Sequence, residues 1–393
     1  MTAARRKMNL FGMITIFLLL SLGFCPGLGA GSEPTAGTGG STVLPNEPAG
    51  QDNPAYNDYA LFIAGISNRQ GPLASYENNP AWGKYAKFIN QSWANFDTRQ
   101  LARMREWVAK ELGTAISSTV FYPFSGPDFI NIYTFFPHAK TYLMVAMEPV
   151  GELPDFSATD EKNFFARLER SLYDLLHLNF FLTEKLETSL GQKELDGVLP
   201  VLMFFLAREK TRILDVRYWA MKPDGSIAEV PAWGRSNAGC GGFPGVRIDF
   251  ASAGSTEPQT LYYFRFNLRN NSLETNQQFV SFLKSFGPMT TFAKAASYLM
   301  FKPHFSAIRQ LILEQSRYVL QTDSAIPLKQ FDPSVWNFKF YGTYQGPIPL
   351  FQCWYQKDLA AIYQRGQDVC QLPFGIGYRF RRNTSNLMLA FKR

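Results

Sequence analysis

The chain is poor in the residues that usually carry chemistry. Of its 393 residues only 3 are histidine and 4 are cysteine. His138, His177 and His304 are not within ligand spacing of one another and no HExxH occurs, so neither a metal nor a cofactor is expected. The absence of CxxC excludes the common thiol redox and zinc arrangements. No GxSxG elbow is present to expose a nucleophilic serine on a strained turn. The 32 acidic residues offer no pair that spacing alone would single out for glycoside hydrolysis.

The longest apolar run is at the start. Arg5, Arg6 and Lys7 precede Met8 to Phe24, and the small-residue stretch Gly27-Leu28-Gly29-Ala30 follows, which is the build of a bacterial export signal. The run lies at the short end of the roughly 17 to 25 residues a spanning helix needs, so cleavage after Gly29 or Ala30 is expected. Leu22 and Cys25 have lipobox spacing, which makes a lipoprotein acylated at Cys25 the alternative. Phe24 argues against it, because the position before an acylated cysteine normally holds a small residue. The mature chain is therefore expected in the periplasm or outside the cell, without a transmembrane span. Residues 31–55, rich in Gly, Ser, Thr and Pro, read as a flexible linker that cannot bury enough surface to order itself. Residues 56–393 read as a single large globular region, with one core or two lobes.

Composition is that of a packed body, 46% hydrophobic with 35 Phe. Removing the three leader cations lowers Lys+Arg from 39 to 36 against 32 acids. Arg379, Arg381, Arg382, Lys392 and Arg393 follow the last acid, Asp368, and account for all the remaining excess. A solvated, aggregation-resistant strand edge or contact with an anionic envelope surface would use that tail, and nothing points to nucleic acid. Export permits oxidation, and Cys353 and Cys370, which bracket a short helix-like segment, are expected to form a disulfide with Cys240 left free.

Periodicity predicts helices over Tyr59–Ile66, Trp82–Trp93, Thr98–Leu112, Thr159–Leu190, Val198–Ala207, Asn276–Phe286, Thr290–Phe301 and Phe305–Ser316. Strands are predicted over Thr119–Tyr122, Phe129–Phe135, Thr141–Met147, Arg212–Met221, Ile227–Val230, Val246–Phe250, Thr260–Asn267 and Trp336–Tyr344. Gly377–Phe380 is expected to pair with Leu387–Phe391. The fold class is α+β, antiparallel sheet packed against several helices. A weakly duplicated helix-strand-turn-strand unit is suggested by the order around Ser125–Asp128 recurring around Asp323–Pro327.

Four blocks, VFYPFSGPD (120–128), AASYLM (295–300), LQTDSAIP (320–327) and LPFGIGY (372–378), resemble a family of exported bacterial proteins of unknown function. The resemblance implies a bacterial envelope protein and carries over no activity, cofactor or catalytic residue.

Two polar turns interrupt apolar strands, Ser125-Gly126-Pro127-Asp128 and Asp323-Ser324. Buried polar groups must be satisfied locally or face a cavity, so these turns are either caps or the rim of a cleft. The cleft reading makes Tyr122, Ser125, Asp128, Tyr133, Asp323 and Ser324 ligand-binding, with the tyrosines as walls, for a protein that binds a small ligand, glycan or envelope partner without catalysis. The alternative is a periplasmic or secreted hydrolase using the Ser125/Asp128 turn, with His138 or His304 as the available base and His177 packed in the core.

Overall fold

A computed structural model of the chain describes residues 53–113, 118–179, 195–230 and 242–393. All of these lie in one compact unit, residues 46–393. The leader, most of the linker, Cys25 and Cys240, and the end of the helix predicted to reach Leu190 lie outside the described residues.

The frame is an eleven-stranded mixed sheet of order β10-β9-β11-β8-β7-β1-β2-β6-β5-β3-β4. The strands are β1 (Thr119–Pro123), β2 (Thr141–Ala146), β3 (Arg212–Met221), β4 (Ile227–Val230), β5 (Phe243–Ala251), β6 (Pro258–Arg265), β7 (Met289–Ala293), β8 (Ser316–Gln321), β9 (Trp336–Gly342), β10 (Val369–Cys370) and β11 (Asn386–Lys392). The α+β class holds. Within it, β8, β7, β1, β2 and β6 form a parallel block that alternation did not reveal. β1 and β7 are buried at every residue, as strands covered on both faces must be, so their sequences carry no polar beat. The flanks are antiparallel: β5, β3 and β4 beyond β6, and β11 with β9 beyond β8.

Helices cover both faces: α1 (Pro54–Ile63), α2 (Pro80–Phe96), α3 (Ala102–Glu111), α4 (Phe129–Phe135), α5 (Glu161–Leu178), α6 (Leu199–Arg208), α7 (Asn270–Thr275), α8 (Gln277–Ser285), α9 (Ser306–Gln315) and α10 (Lys357–Arg365). The first six share a core with Val120, Tyr122, Met144, Tyr263, Phe292 and Leu320. On the opposite face, α8 packs Phe279 and Phe282 on Phe264, and α10 sets Tyr363 against Phe340. Asp160 caps α5 by accepting from the Asn163 backbone N–H at 3.2 Å, and Asn179 ends it in the left-handed conformation that Asn tolerates. Among the described residues no helix is long and apolar enough to cross a membrane.

Three expectations are corrected. Phe129–Phe135 is the helix α4, not a strand. It is buried on every side, so its β-branched and aromatic residues lose their diagnostic value, and the parallel pairing of β1 with β2 requires a crossover rather than a hairpin. Thr290–Phe301 is not one helix but strand β7 followed by a 3₁₀ segment, Ala295–Phe301, with Ala295 at φ +52° breaking the chain direction. Gly377–Phe380 does not pair with β11, whose two edges are taken by β8 and β9; the segment is held by an isolated bridge between Ile376 and Arg379.

The predicted disulfide is not formed in the structure, where Cys353 and Cys370 are free and exposed. Helix α10 lies between them, and Cys370 is in β10, the outermost strand on that side of the sheet.

The duplicated order survives only in part. β1 and β8 run parallel, and both polar turns leave from their carboxyl ends. However, β2 lies beside β1, whereas β11 separates β9 from β8.

Candidate functional site

The chain moves from β1 to β2 on one side and from β7 to β8 on the other, while β1 and β7 are themselves neighbours. Strand order therefore reverses between them, and in open sheets the loops leaving the carboxyl ends diverge at such a point and form a crevice. Here the loops after β1, β7, β8 and β9 and the segment leading into β11 all meet along this edge.

Beneath the edge, on the face covered by α4 and α5, is a sealed ionic cluster. Lys294, the residue after β7, places Nζ 2.8 Å from Asp128 Oδ2, with the two side chains 1% and 3% exposed. Tyr122 donates its hydroxyl to the same oxygen at 2.9 Å, and Asn131 donates Nδ2 to Asp128 Oδ1 at 2.8 Å. Lys294 also donates to the Asn179 carbonyl at 2.7 Å. Burial pushes the Lys294 ammonium below its ordinary range, opposed by Asp128. Burial, reinforced by Asp128, raises the Tyr122 hydroxyl well above its own. Asp128 begins α4 but makes no capping bond, so its carboxylate serves Lys294 rather than the helix. Asn131 Oδ1 is buried without a hydrogen-bond partner. Phe124 and Asn179, like Ala295, have positive φ, so backbone rarely adopted by non-glycine residues gathers around the cluster.

The loop of residues 372–378 crosses over this cluster. The Gly375 carbonyl accepts from Asn179 Nδ2 at 3.0 Å and from Gln100 Nε2. A side chain at Gly375 would run into the Phe380 carbonyl, with a Cβ only 1.6 Å from that oxygen, which is why glycine is required there.

The second polar group sits on the opposite face. Asp323 Oδ2 accepts from the Tyr298 hydroxyl at 2.9 Å and Oδ1 from Asn386 Nδ2 at 3.0 Å, while the Asp323 backbone N–H donates to Asn386 Oδ1 at 2.8 Å. Gln356 Nε2 donates to the Asp323 carbonyl at 3.0 Å. Burial raises the Asp323 carboxyl, opposed by the donors and by Arg379. Asp323, Gln356 and Asn386 line a crevice of only about 10 Å³ with Leu359 and Tyr363 of α10, far below the roughly 300 Å³ at which drug-sized ligand pockets begin. Beside it is an aromatic plate. The Tyr298 ring stacks on Trp354 at 5.4 Å and on Tyr378 at 6.0 Å with 8° between planes, and Phe351 stacks on Trp354 at 5.1 Å. Trp354 and Tyr378 are partly exposed and Tyr355 is 49% exposed.

The residues expected in one cleft are thus divided. The ends of β1 and β8 are two strand spacings apart, about 10 Å, but the sheet separates their carboxylates. Ser125 donates to the Gly126 carbonyl at 2.9 Å, and the Ser324 and Thr322 hydroxyls pair at 2.7 Å, so both serines are satisfied within their turns. Tyr133 bonds Ser252 at 2.9 Å beyond the end of β5, at the other edge of the parallel block. His138 precedes β2 at that same far edge. His304 is exposed, and His177, expected in the core, stacks on Tyr173 at the solvent face of α5. Among the described residues no group of three His, Cys, Asp or Glu stands ready to hold a metal. Sequence reasoning missed Lys294, Asn131, Asn179, Tyr298, Gln356 and Asn386. One signal was available: Lys294 is the lone charge in the apolar run from Met289 to Phe301, and a buried lysine needs a partner. Set against models of protein families, curated proteins and solved structures, the chain finds no match.

Proposed function

We propose that this is an exported bacterial envelope protein that binds a ligand or partner without catalysis, at the edge where Asp323 meets the aromatic plate. One observation carries the reading: a desolvated carboxylate, its donors fixed by Tyr298 and Asn386, stands directly beside partly exposed stacked rings. Such a juxtaposition of a few oriented polar groups with apolar surface is how sites gain both orientation and affinity. The sealed Asp128–Lys294 pair serves as an anchor that holds the ends of β1 and β7 together beneath this edge. The export signal and the family resemblance support the location. The hydrolase reading has no observation in its favour, because Ser125 spends its hydroxyl on backbone carbonyls and neither accessible histidine bonds it.

The test is a thermal-shift screen of the mature chain against neutral and acidic oligosaccharides, amino acids and polyamines. A saturable rise in Tm that Asp323→Ala removes is expected. Turnover of an ester or glycoside substrate that Ser125→Ala abolishes would overturn the reading.

A further inference from the structure

Resting on that reading, we infer that the ligand is an anionic polysaccharide, its sugar rings lying on Trp354 and Tyr378 and its acidic groups meeting Arg381 and Arg382. The rings are arranged for it. Tyr298, 3% exposed, is the buried member to which the partly exposed Trp354 and Tyr378 are joined, with interplanar angles of 28° and 8°. Flat rings partly open to solvent suit the C–H face of a pyranose, whose weakly positive hydrogens meet the negative ring face. The Trp354 indole N–H has no acceptor among the described residues and is left as a donor for a sugar hydroxyl.

Charge complementarity sets the sign of the ligand. Arg381 and Arg382 are exposed and have no acidic partner among the described residues, and no acid occurs after Asp368. Their turn is fastened to the loop that carries the plate. Arg379 donates to the Gly346 carbonyl at 2.9 Å and to the Pro347 carbonyl at 3.0 Å, which ties their turn to the loop that leads to Trp354 and Tyr355. The Ser385 hydroxyl donates to the Arg381 carbonyl at 3.1 Å and holds the turn. An anionic membrane fits less well, because interfacial insertion needs a protruding apolar face and here only Tyr355 is strongly exposed.

The experiment measures binding of the mature chain to an alginate hexasaccharide, with one carboxylate per ring, beside neutral maltohexaose and phosphatidylglycerol vesicles. Alginate should bind saturably, about tenfold or more tightly than maltohexaose. Trp354→Ala should weaken it by about tenfold. The surface pair Arg381→Gln/Arg382→Gln should weaken it several-fold and flatten its salt dependence, since charges in water are screened by salt. Unchanged circular dichroism would show that both variants fold. Binding of vesicles but not alginate overturns the inference, as does alginate affinity equal to wild type in either variant. Maltohexaose binding that depends on Trp354 but not on the arginines overturns the anionic assignment and leaves ligand binding standing. No ligand for the wild type in any class removes both.

Discussion

Lys294 and Asp128 meet at 2.8 Å beneath the carboxyl edge, each almost wholly out of water, and so join the ends of two strands far apart in sequence, β7 and β1. A buried ion pair adds little net stability, because desolvation of both charges offsets their attraction, but breaking it leaves one charge without compensation.

Lys294→Met should therefore cost about 3–5 kcal/mol, and the double variant Asp128→Leu/Lys294→Met should recover most of that loss. Urea unfolding midpoints of the three proteins decide it. A single variant as stable as wild type would contradict the role of the pair.

The Asp323 carboxyl, pushed up by burial, gives a signed pH dependence. The unfolded chain releases this proton near its ordinary pKa of about 3.9, while the folded chain keeps it to higher pH. Stability from this group is thus greatest below that value and falls as pH rises toward the folded pKa. Asp323→Asn should remove this component, so the difference in unfolding free energy between variant and wild type should change across the window. A difference that stays constant with pH would refute the assignment.

Cys353 and Cys370 should both react with iodoacetamide in native protein never exposed to reductant. Peptide mapping is the readout, and a peptide linking the two would restore the disulfide expected from their spacing.

Ala295 at φ +52° bears about 1–2 kcal/mol of left-handed strain. Glycine relieves it but loses about 0.5–1 kcal/mol to greater freedom of the unfolded chain. Ala295→Gly should leave a gain of up to about 1.5 kcal/mol in chemical denaturation. Destabilisation would show that the methyl group packs usefully.

Elements with one wet face were legible. β3, β4, the described part of α5 and β9 stand close to where alternation or helical spacing placed them. Legibility failed where water is excluded on all sides. In α4 and β7 the pattern that distinguishes helix from strand is erased, because every position is buried, the polar ones included. The two polar turns were found, since polar groups in apolar runs stand out. That they face opposite sides of the sheet depends on side-chain alternation beyond strand ends and on pairing between distant segments, neither of which local sequence encodes.

The position of β11 between β8 and β9 bears on the order of folding. β8 ends at Gln321 and β9 at Gly342, yet the strand that joins them begins at Asn386, so both must wait with an open edge until the end of the chain arrives. A chain threaded through a membrane pore from its amino end would emerge with this half of the sheet unfinished and its strand edges available to other chains. Completion of that half is thereby deferred until residues 386–392 are available, and a factor that shields exposed strand edges would act on it in that interval.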